Sequence, residues 1–122
     1  MSTYRAVHAQ TGAVIAEKLD APETSVGRTV GLMFRRRLDP GSGMWINPCA
    51  GGSIHMLFMN FAIDAVMLDR QERIQKIYHR LPAWWGVVWW VWGAHSVLEL
   101  PAGTAATLGL KKGDEVLLDP TP

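Results

Sequence analysis

The stretch Asp64-Ala65-Val66-Met67-Leu68-Asp69-Arg70-Gln71-Glu72-Arg73-Ile74-Gln75-Lys76-Ile77-Tyr78-His79 decides how this chain folds. From Asp64 to Asp69 the apolar residues are consecutive rather than alternating, the pattern of a strand covered on both faces. Asp69 to Arg73 is short and polar, a hairpin loop. Ile74 to His79 sets Ile74, Lys76 and Tyr78 against Gln75, Ile77 and His79, which reads as the returning strand. Outward from this hairpin the same grammar repeats. Tyr4 to Ala9 and Ala13 to Leu19 flank a turn at Thr11-Gly12, and Met44 to Asn47 is stopped by Pro48. Ser53 to Asn60 looks extended, Ser96 to Leu100 ends at Pro101, and Lys111-Lys112-Gly113-Asp114 turns into Val116-Leu117-Leu118.

Two helices interrupt the strands. Asp20 and Glu23 have capping-box spacing, with Pro22 in the first turn, and Val26, Val30, Met33 and Phe34 form one apolar stripe. Gly27 and Gly31 lie one turn apart and predict close packing against that side. Arg35-Arg36-Arg37 suits the helix's negative end. A second, shorter helix from Ala102 to Leu108 closes on Gly109. The expected architecture is mainly β (α+β at most). It is a compact small β-barrel or sandwich, with one helix near 22–35 and a short one near 102–108. Nothing alternates as a parallel α/β sheet would.

The 122 residues suffice for one domain, taken as 1–122. Hydrophobic residues make up 48% and charged ones 19%, so the chain buries a core. Twelve Lys and Arg against eleven Asp and Glu leave a charge of +1, too little to attract nucleic acid or an anionic membrane broadly. A single cysteine, Cys49, excludes an internal disulfide framework. The polar first dozen residues do not read as a secretory signal. The apolar run from Leu81 to Trp92 falls short of the roughly 20 residues a membrane span needs. These features predict a reduced, cytoplasmic setting.

The same run holds Trp84, Trp85, Trp89, Trp90 and Trp92; the sixth tryptophan is Trp45. As a strand it would carry Trp84, Val88, Trp90 and Trp92 on one face and Trp85, Val87, Trp89 and Val91 on the other. Neither face is polar. One face left open would expose at least a few hundred Å² (about 150–250 Å² per indole), the size at which a patch marks an interface. The segment therefore predicts either cover by the chain's own core, a self-association surface, or an aromatic platform for a small ligand such as a sugar. No cation is interleaved to hold phosphates, which disfavours stacked single-stranded nucleic acid.

Cys49, His55 and Asp64 supply a thiol, an imidazole and a carboxylate, the types that a nucleophile, its base and an orienting group require. They are the candidate catalytic residues, against the simpler reading of a buried thiol and a structural histidine. Metal binding would have to draw on these three with His79 or His95, and no ligand spacing supports it. No glycine-rich phosphate cradle is present, and no cofactor is implied. Alternation in Val97-Leu98-Glu99-Leu100 predicts that Glu99 faces solvent, free to pair with an arginine.

Gly31-Leu32-Met33-Phe34-Arg35, Ser53-Ile54-His55, Phe61 to Asp69, Val97 to Ala105 and Gly109 to Asp114 occur in the order characteristic of one family. Over about residues 14–118 the chain resembles the bacterial and archaeal domain of unknown function family numbered 192. It looks like the subgroup with Pro-Cys, here Pro48-Cys49, shortly before Ser-Ile-His. It departs from the usual text at Met56, Ala62 and the Gly51-Gly52 insertion. The resemblance implies a compact, mainly β barrel or sandwich and no established activity, substrate or cofactor. The final segment also looks like the glycine–aspartate turn of swapped-hairpin and double-psi barrels, some of which bind DNA; the near-neutral charge argues against that role here.

The leading functional expectation is a binding or assembly module that self-associates through Trp84–Trp92, as a homo-oligomer, with a small-molecule ligand as a further partner. The alternatives are a thiol-dependent or hydrolytic enzyme with a Cys49/His55/Asp64 pocket, and a nucleic-acid-associated barrel using Arg35-Arg36-Arg37 with Lys111-Lys112.

Overall fold

The computed structural model describes residues 2–33, 35–49, 54–56, 58–88 and 91–121, without the side chains of Thr29, Ile54, His55, Val87 and Val88. The elements run β1 (Ser2–His8), β2 (Val14–Ala21), α1 (Ser25–Val30), β3 (Ser42–Ile46), β4 (Ile54–His55), β5 (Ile63–Leu68), β6 (Ile74–Leu81), β7 (Val87–Val88), β8 (Ser96–Pro101), α2 (Thr104–Leu108) and β9 (Val116–Pro120). A seven-stranded sheet has the order β6-β5-β8-β3-β2-β1-β9, and β4 and β7 form a separate two-stranded ribbon. All pairs in the large sheet are antiparallel except β2 and β3, which α1 connects as a crossover.

The sheet curls into a half-barrel because its outer strands are tied at one end. Arg73 bridges Glu115, and the amide of Ile74 donates to the carbonyl of Asp114 at 2.8 Å. The amides of Gly113 and Val116 donate to the carbonyls of Ile74 and Glu72 at 2.7 and 2.9 Å. The β5–β6 loop is held by Asp69, whose Oδ1 accepts from the amides of Gln71 and Arg73 and whose Oδ2 accepts from Gln75 Nε2.

Every residue of β5 is buried. The pleat explains it: Val66 and Leu68 enter one apolar cluster with Leu19, Trp45 and Leu98, while Ile63, Ala65 and Met67 enter another with Met44, Cys49 and Val97. The sheet thus has a core on each face, and each fully buried Val, Leu or Met contributes roughly 1.5–3 kcal/mol.

Three local expectations change. The first helix is shorter than 22–35, because Asp20 still belongs to β2, opposite Met44 of β3. The cap is Thr24, whose Oγ1 accepts from the Gly27 amide at 2.9 Å, and Gly31, at φ 52°, ends the helix. Its apolar stripe is only partly covered: Val26 is 74% exposed and Val30 is also exposed, while Met33 packs half-buried against the core that the adjacent Leu32 enters. Phe34 lies outside the described residues. Among the described residues, the extended reading of Ser53–Asn60 reduces to the two residues of β4. Finally, Trp84–Trp92 is not one continuous strand: a turn at Ala83–Trp85 precedes β7, and another turn covers Trp92 and Gly93.

Candidate functional site

The pleat also sorts the polar residues of the sheet centre. Asp64 lies opposite Leu100 and Ala65 opposite Glu99 in the β5–β8 register. Asp64 therefore shares the face of Val66, Leu68, Leu98 and Leu100, and Glu99 shares that of Ala65, Met67, Val97 and Cys49. Cys49 and Asp64 are on opposite faces of the sheet. The structure does not bring them together.

Each has its own local role. The fully buried Asp64 carboxylate accepts three backbone hydrogen bonds, from Arg80 at 2.9 Å, Gly103 at 3.1 Å and Ala105 at 2.9 Å. It pins the end of β6 and the start of α2 to β5, and Gly103 reaches it with φ 94°. Cys49 follows β3, and its amide donates to the His95 carbonyl at 2.7 Å. Burial, and then the charge of Glu99, push its thiol up to about 11, so at neutral pH it is a thiol rather than a nucleophilic thiolate. The backbone of His55 pairs with Val87, while its side chain lies outside what the structure describes. Arg35 ion-pairs with Asp20 at 3.7 Å and Arg37 with Asp39 at 3.2 Å.

Glu99 corrects the solvent-facing expectation. It is only 8% exposed, lies between Met44 of β3 and Ala65 of β5, and forms no ion pair among the described residues. Burial pushes its carboxyl up from 4.5 to about 7. Gly31 adjoins it: a Cβ there would stand 3.3 Å from Glu99 Oε1. The strand's alternation misled because β8 has no solvent face; the apolar residues on both sides of Glu99 were the available signal. A buried carboxyl near 7 beside a thiol is suited to giving and taking a proton at neutral pH.

A second feature lies at the surface. Trp84 is 46% exposed, Trp85 85% and Trp92 83%, so the chain's own core does not cover these three rings, although Val91 between them is buried in it. Trp89 and Trp90 lie outside the described residues. Trp84 and Phe58 adopt left-handed backbone, φ 70° and 64°, an unfavourable region for bulky side chains. Their rings meet edge to face, centroids 5.4 Å apart, with Phe58 also exposed. Met56 holds this conformation: its carbonyl accepts from the Trp84 amide at 2.9 Å and its amide donates to the Gly86 carbonyl at 2.8 Å. Gly86 allows the close approach, since a Cβ there would lie 2.7 Å from Met56 Cγ.

Among the described residues no group of His, Cys, Asp and Glu is arranged to hold a metal ion, and no helix is long and apolar enough to cross a membrane. The model of the domain of unknown function family 192, described as Uncharacterized ACR, matches residues 6–118. A crystal structure of a protein of unknown function from Novosphingobium aromaticivorans is similar with a TM-score of 0.78 and 24% identity, covering 94% of this chain and 83% of that one. Another, from Sinorhizobium meliloti and provisionally described as a transcription regulator, gives 0.73 and 23%, covering 96% and 92%. At these identities the likeness is one of fold. No curated protein matches the sequence significantly.

Proposed function

We propose that this chain, which belongs to the domain of unknown function family 192, works as an assembly domain that pairs with a second copy of itself through the Trp84–Trp92 segment. The observation that carries the reading is the aromatic surface. Trp84, Trp85 and Trp92 leave on the order of 500 Å² of indole exposed. Brought together against a partner, that area matches the largest patch on a typical monomer and is a large part of the roughly 800 Å² each partner buries in a standard interface. Two aromatic residues held in unfavourable backbone to present their rings support it further. A second copy is the favoured occupant because Pro82 to Gly93 contains no charged residue, so an isologous contact brings no like charges together. The cytoplasmic, homodimeric setting belongs to this proposal.

Sedimentation analysis of the wild-type chain and of Trp85→Lys tests it. The wild type is expected as a dimer and the variant as a monomer with an unchanged far-ultraviolet spectrum. Trp85 is too exposed for its loss to unfold the monomer. A wild type that stays monomeric at every accessible concentration sinks the proposal.

A second reading, acid–base chemistry, is favoured by the Glu99 carboxyl near 7 beside Cys49. It draws on Cys49 and gives the carboxylate's part to Glu99 in place of Asp64. Hydrolysis of an activated ester that rises through about pH 7 in the wild type and is lost in Glu99→Gln would support it; identical profiles would end it. The description of the Sinorhizobium meliloti neighbour raises nucleic acid, but Arg35 and Arg37 already face Asp20 and Asp39, which weighs against a phosphate-binding patch there.

A further inference from the structure

A cavity of about 310 Å³ lies where β1 begins, β2 ends and β3 runs beside it. Trp45 of β3 and Tyr4 of β1 meet in its wall, edge to face, with centroids 5.0 Å apart. Trp45 is nine-tenths buried, and its indole Nε1 is a buried donor without a hydrogen-bond partner among the described residues. Buried donors left unpaired are rare in native interiors. Arg28 of α1 lines the same cavity, forms no ion pair among the described residues, and reaches only the Ser25 hydroxyl, at 3.5 Å. Asn47 adds an amide to the lining, and Ala21 with Pro22 supplies an apolar wall.

We propose that this cavity binds a small monocarboxylate with an apolar or aromatic body. The Arg28 guanidinium is a donor only and carries positive charge, so it calls for an acceptor carrying negative charge. A planar carboxylate matches the guanidinium fork, and its body lies against the rings and the apolar wall. The remaining charged group of the lining, Glu23, accepts a hydrogen bond from the Ser2 hydroxyl. Its negative charge disfavours a doubly charged ligand such as phosphate. The cavity is near the lower limit of ligand pockets, which keeps the ligand small.

The test is a titration with benzoate, followed by the indole N–H resonances in a proton–nitrogen correlation spectrum. The Trp45 signal is identified by its loss in Trp45→Phe. Benzoate is expected to shift the Trp45 indole resonance more than those of Trp84, Trp85 and Trp92. Neutral benzamide should bind at least about tenfold more weakly, and Arg28→Gln should weaken benzoate by about tenfold. Arg28→Gln alters a surface helix only, so it keeps the test decisive if Trp45→Phe fails to fold. An unmoved Trp45 signal, benzamide binding as well as benzoate, or an unchanged affinity in Arg28→Gln each overturns the proposal. Inorganic phosphate binding as tightly as benzoate overturns its carboxylate specificity.

Discussion

Replacing Glu99 with glutamine keeps the size of the side chain and removes its ionisation, and the consequence is a change in the pH dependence of folding. Burial raises the Glu99 carboxyl from 4.5 to about 7. Below about 4.5 it is protonated in both the folded and the unfolded chain, and nothing is lost. Between 4.5 and 7 the unfolded chain has ionised while the folded chain still holds its proton, so folding becomes less favourable as pH rises. Above 7 both forms are ionised and the full penalty stands. One decade of proton affinity corresponds to about 1.4 kcal/mol, which makes that penalty roughly 3 kcal/mol, a large share of a domain's stability. Asp114 titrates outside this window. Its carboxyl is lowered from 3.8, first by the hydrogen bond with the buried His8 ring at 2.7 Å, so its contribution is present above 3.8 and lost as pH falls below it. Urea unfolding of the wild type and of Glu99→Gln from about pH 4 to about pH 8 separates the two. The curves should meet near pH 4 and diverge steadily, with Glu99→Gln the more stable above 7. Parallel curves across that window would refute the placing of Glu99 between β3 and β5 with its carboxyl withdrawn from water.

Asp64→Ala should cost about 3 kcal/mol or more in urea unfolding, because the amides of Arg80, Gly103 and Ala105 lose one common acceptor. Cys49 should react with a thiol reagent far more slowly in the folded chain than in denaturant, since its thiol is pushed up to about 11; Glu99→Gln should lower that midpoint, a shift readable from alkylation rates against pH. Gly43→Ala should destabilise by about 2 kcal/mol or more, because a Cβ there would stand 2.7 Å from the Glu99 carbonyl, where backbone would have to move. A melting temperature unchanged by that substitution would contradict the close approach of β3 and β8.

The β5–β6 hairpin was legible because its signals are local: consecutive apolar residues, then Asp69 with short-range partners, then alternation. So was α2, which Gly109 ends at φ 65°. The mainly β architecture follows from the same kind of signal. The site was harder to read. Whether Glu99 or Asp64 meets water depends on what covers each face, and alternation alone cannot tell a strand with one buried face from a strand with two. The three amides on Asp64 come from residues 16 to 41 positions away. Spacing likewise offered Cys49 and Asp64 as neighbours, when the pleat of β5 sends Asp64 to the other face of the sheet. At the first helix the Asp20–Glu23 pair mimicked a cap, but tertiary pairing kept Asp20 in β2 and left Thr24 to cap.

β1 and β9 lie side by side in the sheet, Tyr4 opposite Pro120 and His8 opposite Val116. A chain emerging from the ribosome therefore holds β1 without this neighbour until Val116–Pro120 has followed, and until then β1 has β2 alone. Synthesis interrupted before Val116 leaves that edge of β1 unpaired and open to proteases and to other nascent chains. Closing this edge of the sheet thus depends on a segment far along the sequence from the strand it covers.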